Sequence, residues 1–375
     1  METINITSSL NLLSKNRTAI MGFAILWIMF FHLPFEIDSI KILGFIKNAG
    51  YSGVDIFFFL SGFGLYFSVT KETFTLKEYY KRRFARIMPE FWLVLTIIFV
   101  VNLDFSVTGV LDYICKATTL GYWLPWLDMP YFLWYISAIM MFYAIYPICF
   151  LNNNSGLKVS IIAICIGFVL TIIYAFISVF VFNNERFGDL IILTISRIPI
   201  FFIGSMFGYW MKSNQKITMS KITIGLIIIM AIISVIFLAI SVIYFKDYLW
   251  TCSLYFIPFI FITPVLCVLL AHIFNLSRRL NSIFAFFGVF SLELFLCHAS
   301  LYKLIVLADT TLAKIIVCGV SVILSFVCAR LLYYINNRYI QKIFKWHKRL
   351  VCSSWIANIF LKESGFCDNI LKKKV

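Results

Sequence analysis

Long apolar stretches alternate with short polar segments along almost the whole chain. Charged or turn-forming residues delimit ten such stretches, and most have about the 20 residues that an α-helix needs to cross a bilayer. They span residues 18–34, 52–70, 89–103, 131–150, 158–182, 189–211, 222–244, 250–273, 283–303 and 311–335. The pattern predicts an all-α, polytopic integral membrane protein with about ten transmembrane helices.

Composition narrows the class of protein further. Of the 375 residues, 62% are hydrophobic and only 13% are charged, whereas soluble domains are roughly half apolar and about a quarter charged. This excludes a soluble enzyme, a disordered chain and a disulfide scaffold. The ten cysteines lie mostly inside apolar stretches and show no metal-ligand spacing. We therefore interpret them as packing residues and expect no metal site.

The distribution of basic residues predicts the orientation, because Lys and Arg collect on the cytoplasmic side of membrane proteins. With the N-terminus inside and ten crossings, 24 of the 32 basic residues fall on the cytoplasmic side. Both termini are then cytoplasmic, and the net charge of +15 reflects orientation rather than nucleic-acid binding. We expect a transmembrane domain over 1–336 and a basic amphipathic cytoplasmic tail over 337–375 that rests on anionic membrane lipid.

Several ionisable residues fall inside the predicted spans, where a charge is costly and is a functional candidate by default. His32, Asp55, Arg197 and His298 come from four different spans, and the predicted topology places them at similar depth near the outer face. Glu293 lies deeper in the same span as His298. This convergence predicts a polar cavity near the outer end of the bundle.

Each of these residues also has a structural interpretation. His298 can hydrogen-bond to a neighbouring helix, and Arg197 can snorkel or pair with Asp189. Asp55 can serve as a helix N-cap, since acidic residues favour a helix start. His32 is the strongest candidate for chemistry, because an imidazole with an unperturbed pKa of about 6.5 takes and returns a proton at neutral pH.

Six segments resemble, in order, the motif blocks of one known family. They are Gly22–His32, Gly53–Phe63, Arg82–Pro89, Leu133–Pro147, Arg197–Gly204 and Ser291–His298. Any one block alone is a weak signal, but six in order on a ten-helix topology form a specific pattern. On these blocks the chain resembles the integral-membrane acyltransferase-3 family of bacterial envelope O-acyltransferases, and the Arg82–Pro89 block looks like that family's basic loop before the third helix.

The resemblance implies a function. An acyl group, acetyl foremost, would pass from cytoplasmic acyl-CoA to a hydroxyl of a cell-envelope glycan or lipid-linked sugar, at the bacterial plasma (inner) membrane. We expect His32 to act as the general base, with a transient acyl-histidine as a variant. Asp55 would orient the imidazole or favour its charged form. Trp134, Arg197 and His298, with Glu293 in support, would line the acceptor side. Acetyl-CoA enters as the donor substrate, and no bound cofactor is expected.

A basic cluster suits the phosphates of coenzyme A, because guanidinium groups bind phosphate bidentately. It contains Arg82, Arg83 and Arg86, with Arg17 nearby. An ordinary positive-inside loop is the alternative interpretation. The family usually carries an arginine eleven positions before the histidine, where this chain has Met21, and Arg17 lies one turn further toward the cytoplasm.

Two other classes of function compete with acyl transfer. A lipid-linked glycan flippase or other secondary transporter would suit intramembrane His, Asp and Glu, although the sequence shows no repeated half and no paired broken helices. A polysaccharide polymerase is also polytopic. A polymerase must bind an anionic polysaccharide outside the membrane. The longest predicted outer loop has about 27 residues and only one basic residue, Lys116, which offers little for such binding.

Overall fold

The computed structural model describes residues 2–35, 41–102, 105–123, 133–151, 156–180, 186–213, 217–244 and 256–340. The helices of these residues are α1 (Thr7–Lys15), α2 (Arg17–Phe31), α3 (Lys41–Asn48), α4 (Gly53–Val69), α5 (Leu76–Asn102), α6 (Val107–Ala117), α7 (Leu133–Leu151), α8 (Gly156–Phe180), α9 (Arg186–Ile195), α10 (Ile198–Lys212), α11 (Lys221–Tyr244), α12 (Ile257–Leu276), α13 (Arg278–Val289), α14 (Ser291–Tyr302) and α15 (Thr311–Ile335). Two short strands, β1 (Thr3–Asn5) and β2 (Thr218–Ser220), complete the regular structure together with short 3₁₀ and π turns.

Each of the ten predicted stretches coincides with helical structure. Within the described residues, seven helical segments are long and apolar enough to cross a membrane, and α13 with α14 would make an eighth if they form one bent span. Helices α2 and α7 supply two shorter apolar segments. The all-α polytopic fold is thereby confirmed, while the number of crossings stays a prediction.

Two local expectations from the sequence are wrong. The basic segment Arg82–Pro89 is not a loop, because it lies within the continuous helix α5. Hydropathy marks only the part of a helix that contacts lipid, whereas the backbone hydrogen bonds continue beyond it. The predicted span over 283–303 is not one straight helix either, since α13 and α14 meet at Phe290 with a bend of 69°.

The N-terminal end of the chain anchors one end of the bundle. Strand β1 pairs antiparallel with β2, with Thr3 opposite Ser220. The Ser9 hydroxyl lies 3.1 Å from Nε2 of His272 near the end of α12, and Lys15 donates to Asn275 at 3.1 Å. These segments therefore share one end of the bundle, the end that the charge distribution assigns to the cytoplasm. The predicted amphipathic tail falls almost entirely on 341–375, which lies outside the described residues.

Glycines allow the central helices to approach closely. Gly62 of α4 lies against the carbonyl of Phe201, and Gly204 of α10 lies against the carbonyl of Phe59. A Cβ atom at either glycine would overlap the carbonyl oxygen. Small residues at helix crossings permit such backbone contact inside membranes. The two helices run parallel, so the crossing brings their N-terminal ends together.

Gly204→Ala is expected to destabilise the protein by about 1–3 kcal/mol, because the added methyl group forces α4 and α10 apart. Gly225→Ala on α11 is the matched control, since a Cβ there meets no atom within 4 Å. That control should be neutral or stabilising by up to about 1 kcal/mol. Thermal unfolding of the purified protein in detergent measures both, and equal melting temperatures for Gly204→Ala and the wild type would contradict the close crossing.

Candidate functional site

Two histidines meet at the far end of α2. His32 directly follows the helix, and its Nδ1 lies 2.9 Å from the Ile28 carbonyl oxygen and 3.3 Å from Nε2 of His298. His298 belongs to α14, and its own Nδ1 lies 2.9 Å from the Leu294 carbonyl oxygen. The structure thus brings together two residues that are 266 positions apart and that the sequence placed at similar depth.

The carbonyl contacts assign the protons of this pair. A carbonyl oxygen only accepts hydrogen bonds, so Nδ1 of each ring donates. Nε2 of His298 then carries a lone pair toward the Nδ1–H of His32, and Nε2 of His32 carries a lone pair of its own. His298 is 1% exposed, whereas His32 is exposed at the helix end. An accessible basic nitrogen on a ring held from its other side is the arrangement that a general base requires.

Asp55 makes a different contact from the one expected. Its Oδ1 accepts a hydrogen bond from Nε of Arg197 at 2.9 Å, and both side chains are buried. No hydrogen bond joins Asp55 to His32, both of which the structure describes. The interpretation of Asp55 as the residue that orients His32 is therefore wrong, because the buried guanidinium takes its carboxylate. His298 occupies the orienting position.

A helix break places Arg197 opposite Asp55. Helix α9 ends at Ile195 and α10 begins at Ile198, so Arg197 caps α10 just before Pro199. The Arg197 guanidinium carbon lies 5.3 Å from the ring centroid of Trp134 and 4.2 Å from that of Phe256. Cation–π contact with these rings adds to the ion pair. Arg197 is therefore a buried, paired residue and does not snorkel.

The other end of the bundle contains a cavity of about 940 Å³. All four arginines predicted to bind acyl-CoA line it: Arg17, Arg82, Arg83 and Arg86. Met21 lines the same cavity, one turn along α2 from Arg17. Arg17 therefore supplies a guanidinium to the wall where Met21 has none. By contrast His32, Asp55, Trp134, Arg197 and His298 do not line this cavity.

Local contacts hold these arginines in place. The continuous helix α5 carries Arg82 and Arg86 four residues apart, so both face the same side. Nη2 of Arg83 donates to the Ser68 hydroxyl at 2.5 Å, and Nη2 of Arg17 donates to the Leu60 carbonyl at 2.9 Å. The cavity thus presents a group of guanidinium ions from two helices.

Two buried carboxyl groups line the same cavity. Glu90 of α5 is 3% exposed and Glu293 of α14 is 4% exposed. Their side chains lie close enough to interact with each other, and the Asn336 side-chain amide donates to Oε1 of Glu90. The sequence predicts a role for Glu293, but in support of the acceptor side rather than in the arginine-lined cavity, and it does not select Glu90. The signal for Glu90 in the sequence is an acid directly after Pro89, at the predicted start of a span.

An aromatic wall lines the cavity on the side of His298. Phe57, Tyr135 and Phe295 line the cavity. The ring centroids of Tyr135 and Phe295 are 4.9 Å apart, and that of Phe295 is 5.8 Å from that of His298. Phe295 therefore contacts both regions. Among the described residues, no group of three or more His, Cys, Asp or Glu side chains is placed to hold a metal ion.

Comparison with protein families identifies the family of this chain. The acyltransferase-3 family model, described as an acyltransferase domain, matches residues 19–334. The chain belongs to the acyltransferase-3 family. This membership confirms the resemblance of the six blocks and makes the protein a membrane acyltransferase. The matched range includes the histidine pair, the Asp55–Arg197 ion pair and most of the cavity lining. No curated protein and no solved structure matches the chain.

Proposed function

We propose that this acyltransferase-3 member transfers an acyl group, acetyl foremost, from acyl-CoA to a hydroxyl of a cell-envelope glycan or lipid-linked sugar. It would work as a multi-pass protein of the bacterial plasma membrane, with the donor at the cytoplasmic end and the acceptor at the outer end. One observation carries the proposal. The arginine-lined cavity lies at one end of the bundle, and Phe295, which lines it, also contacts His298 of the histidine pair.

The cavity suits the donor in charge and size. Coenzyme A carries several phosphate charges, and Arg17, Arg82, Arg83 and Arg86 offer guanidinium forks that match phosphate oxygens. A volume of about 940 Å³ lies near the upper end of the range for small-molecule sites. The acyl end of such a donor would point toward Phe295, so the aromatic wall must open for the thioester to reach His32.

The histidine pair supplies the chemistry. Nε2 of His32 takes the proton from the acceptor hydroxyl, and the hydroxyl oxygen attacks the thioester carbonyl carbon. The carbon–sulfur bond breaks, and the thiolate of coenzyme A takes the proton that His32 holds. The products are the acyl ester and the free thiol. A route in which His32 first carries the acyl group gives the same products.

Mass spectrometry of surface glycans from cells with and without the gene tests the proposal. Loss of the gene should remove the mass of one acyl group from each modified sugar and leave glycan amount and chain length unchanged. Unchanged sugar mass with altered glycan amount would instead support a flippase. Altered chain length would support a polymerase.

Replacing Arg82 and Arg83 together by alanine should raise KM for acyl-CoA by at least roughly 10- to 100-fold, because even one charge-assisted hydrogen bond contributes about 1.5–3 kcal/mol. KM for the acceptor should not change. Lys77→Ala is the matched control, since Lys77 lies on the same helix and does not line the cavity. Initial rates with purified protein measure both constants, and a change confined to the acceptor KM would overturn the donor assignment.

A further inference from the structure

The proposed transfer mechanism uses neither carboxyl group of the pair formed by Glu90 and Glu293. Both side chains are nevertheless buried against the wall of the donor cavity. Oε2 of Glu90 is buried and receives no hydrogen bond from the residues that the structure describes. A buried acceptor without a donor needs a partner, and a ligand in the cavity can supply one.

The closeness of the two buried carboxyl groups limits the charge that they can hold together. Two ionised carboxylates would repel each other in this buried site, so at least one of the two is protonated. The pair therefore offers one O–H donor together with free acceptor oxygens. Asn336 fixes Oε1 of Glu90 from the other side, which leaves Oε2 for a ligand.

The pair lies between the arginines and the histidines. On α5, Glu90 follows Arg86 by four residues, which is about 6 Å along the helix axis. On α14, Glu293 precedes His298 by five residues, which is about 7.5 Å. In the proposed complex the phosphates of the donor bind the arginines and its thioester reaches His32. The middle of the donor molecule must therefore lie beside Glu90 and Glu293.

The middle of acyl-CoA has a matching chemistry. Its uncharged pantetheine arm carries two secondary amides, and only two carbon atoms separate the nearer amide from the sulfur. A secondary amide has one N–H donor and one carbonyl acceptor, which is the complement of one ionised and one protonated carboxyl group. The thioester sulfur itself is a poorer match, because a helical side chain tilts toward the N-terminus and carries the Glu293 carboxyl away from His298.

We propose that Glu90 and Glu293, held by Asn336, bind an amide of the pantetheine arm of acyl-CoA. This subsite rests on the proposed use of acyl-CoA as donor. The amide N–H donates to Oε2 of Glu90, and the amide carbonyl accepts the hydrogen bond of the protonated carboxyl. The contact fixes how far the arm extends, and so positions the thioester relative to the histidine pair.

Calorimetric titration of the purified protein in detergent tests the subsite with two probes. Coenzyme A has the arm, whereas adenosine 3′,5′-bisphosphate has phosphates without it. Glu90→Ala/Glu293→Ala should weaken coenzyme A binding roughly 10- to 100-fold and leave bisphosphate binding unchanged. Glu293→Gln should retain coenzyme A binding, since a carboxamide also offers a donor and an acceptor. Glu72→Ala, an exposed acid outside the cavity lining, is the control.

A ligand-side change keeps the proposal falsifiable if the double variant fails to fold. A coenzyme A analogue with an ester in place of the sulfur-side amide lacks the N–H donor. The wild type should bind it roughly tenfold more weakly than coenzyme A, and the double variant should bind both alike. Equal wild-type affinity for the two ligands would overturn the subsite.

The outcomes also separate this subsite from the donor assignment. If the wild type binds neither coenzyme A nor the bisphosphate, the proposed donor is wrong and the subsite fails with it. If the wild type binds both and the double variant loses both equally, the donor assignment stands and the amide subsite is wrong.

Discussion

Replacing His32 by alanine is expected to abolish acyl transfer while the protein still inserts into the membrane and accumulates at the wild-type level. Removal of a general base alone costs roughly 10²- to 10⁴-fold in rate, and loss of an acyl-carrying nucleophile would cost more. His298 cannot replace it, because its ring is buried and its Nδ1 is bound to the Leu294 carbonyl. Since His32 is exposed at the end of α2, its loss leaves the core intact.

His272→Ala is the matched control for this experiment. His272 lies at the opposite end of the bundle, where its Nε2 contacts the Ser9 hydroxyl at 3.1 Å. Product formation by mass spectrometry and protein level by immunoblotting should separate the two variants. His272→Ala should keep its activity, and substantial residual transfer by His32→Ala would remove His32 from the mechanism.

Asp55→Ala is expected to cause the largest loss of stability of any single substitution considered, about 3–5 kcal/mol. The reason is the partner that remains. Arg197 is 1% exposed, so its guanidinium would stay in the interior without a carboxylate. The aromatic contacts of Arg197 with Trp134 and Phe256 compensate for only part of that cost.

Two further variants test whether the loss of stability in Asp55→Ala comes from the unpaired buried charge of Arg197. Asp55→Leu/Arg197→Met leaves no buried charge and should be more stable than Asp55→Ala, as replaced buried ion pairs often are. Glu2→Ala removes the exposed ion pair with Lys221 and should cost at most about 1 kcal/mol. Thermal unfolding in detergent compares them, and a wild-type melting temperature for Asp55→Ala would show that the pair contributes little.

The pairing of Asp55 with Arg197 shows that the depth of a residue in the membrane does not predict its side-chain partner. Counting spans placed His32, Asp55, Arg197 and His298 at one level, and the structure joins them as two separate pairs. Depth along the membrane follows from helix boundaries, but the partner of a side chain depends on helix rotation and on which helices adjoin. The same limit applies to Glu90, whose position beside Glu293 no local pattern reveals.

The sequence by itself determined the helical membrane fold, the approximate helix positions, the basic segment of α5 and the histidine at the end of α2. These features follow from local physics, because hydropathy over about 20 residues defines a span and basic residues favour one side of the membrane.

Only the tertiary structure decided which helices pack together and which side chains pair. The glycine contacts between α4 and α10, the bend at Phe290, the pairing of Asp55 with Arg197 and the meeting of Glu90 with Glu293 all join distant parts of the chain. A buried charge or carboxyl is stabilised by whichever group lies opposite it. That group is set by how the helices pack, which the hydropathy pattern of each helix leaves open.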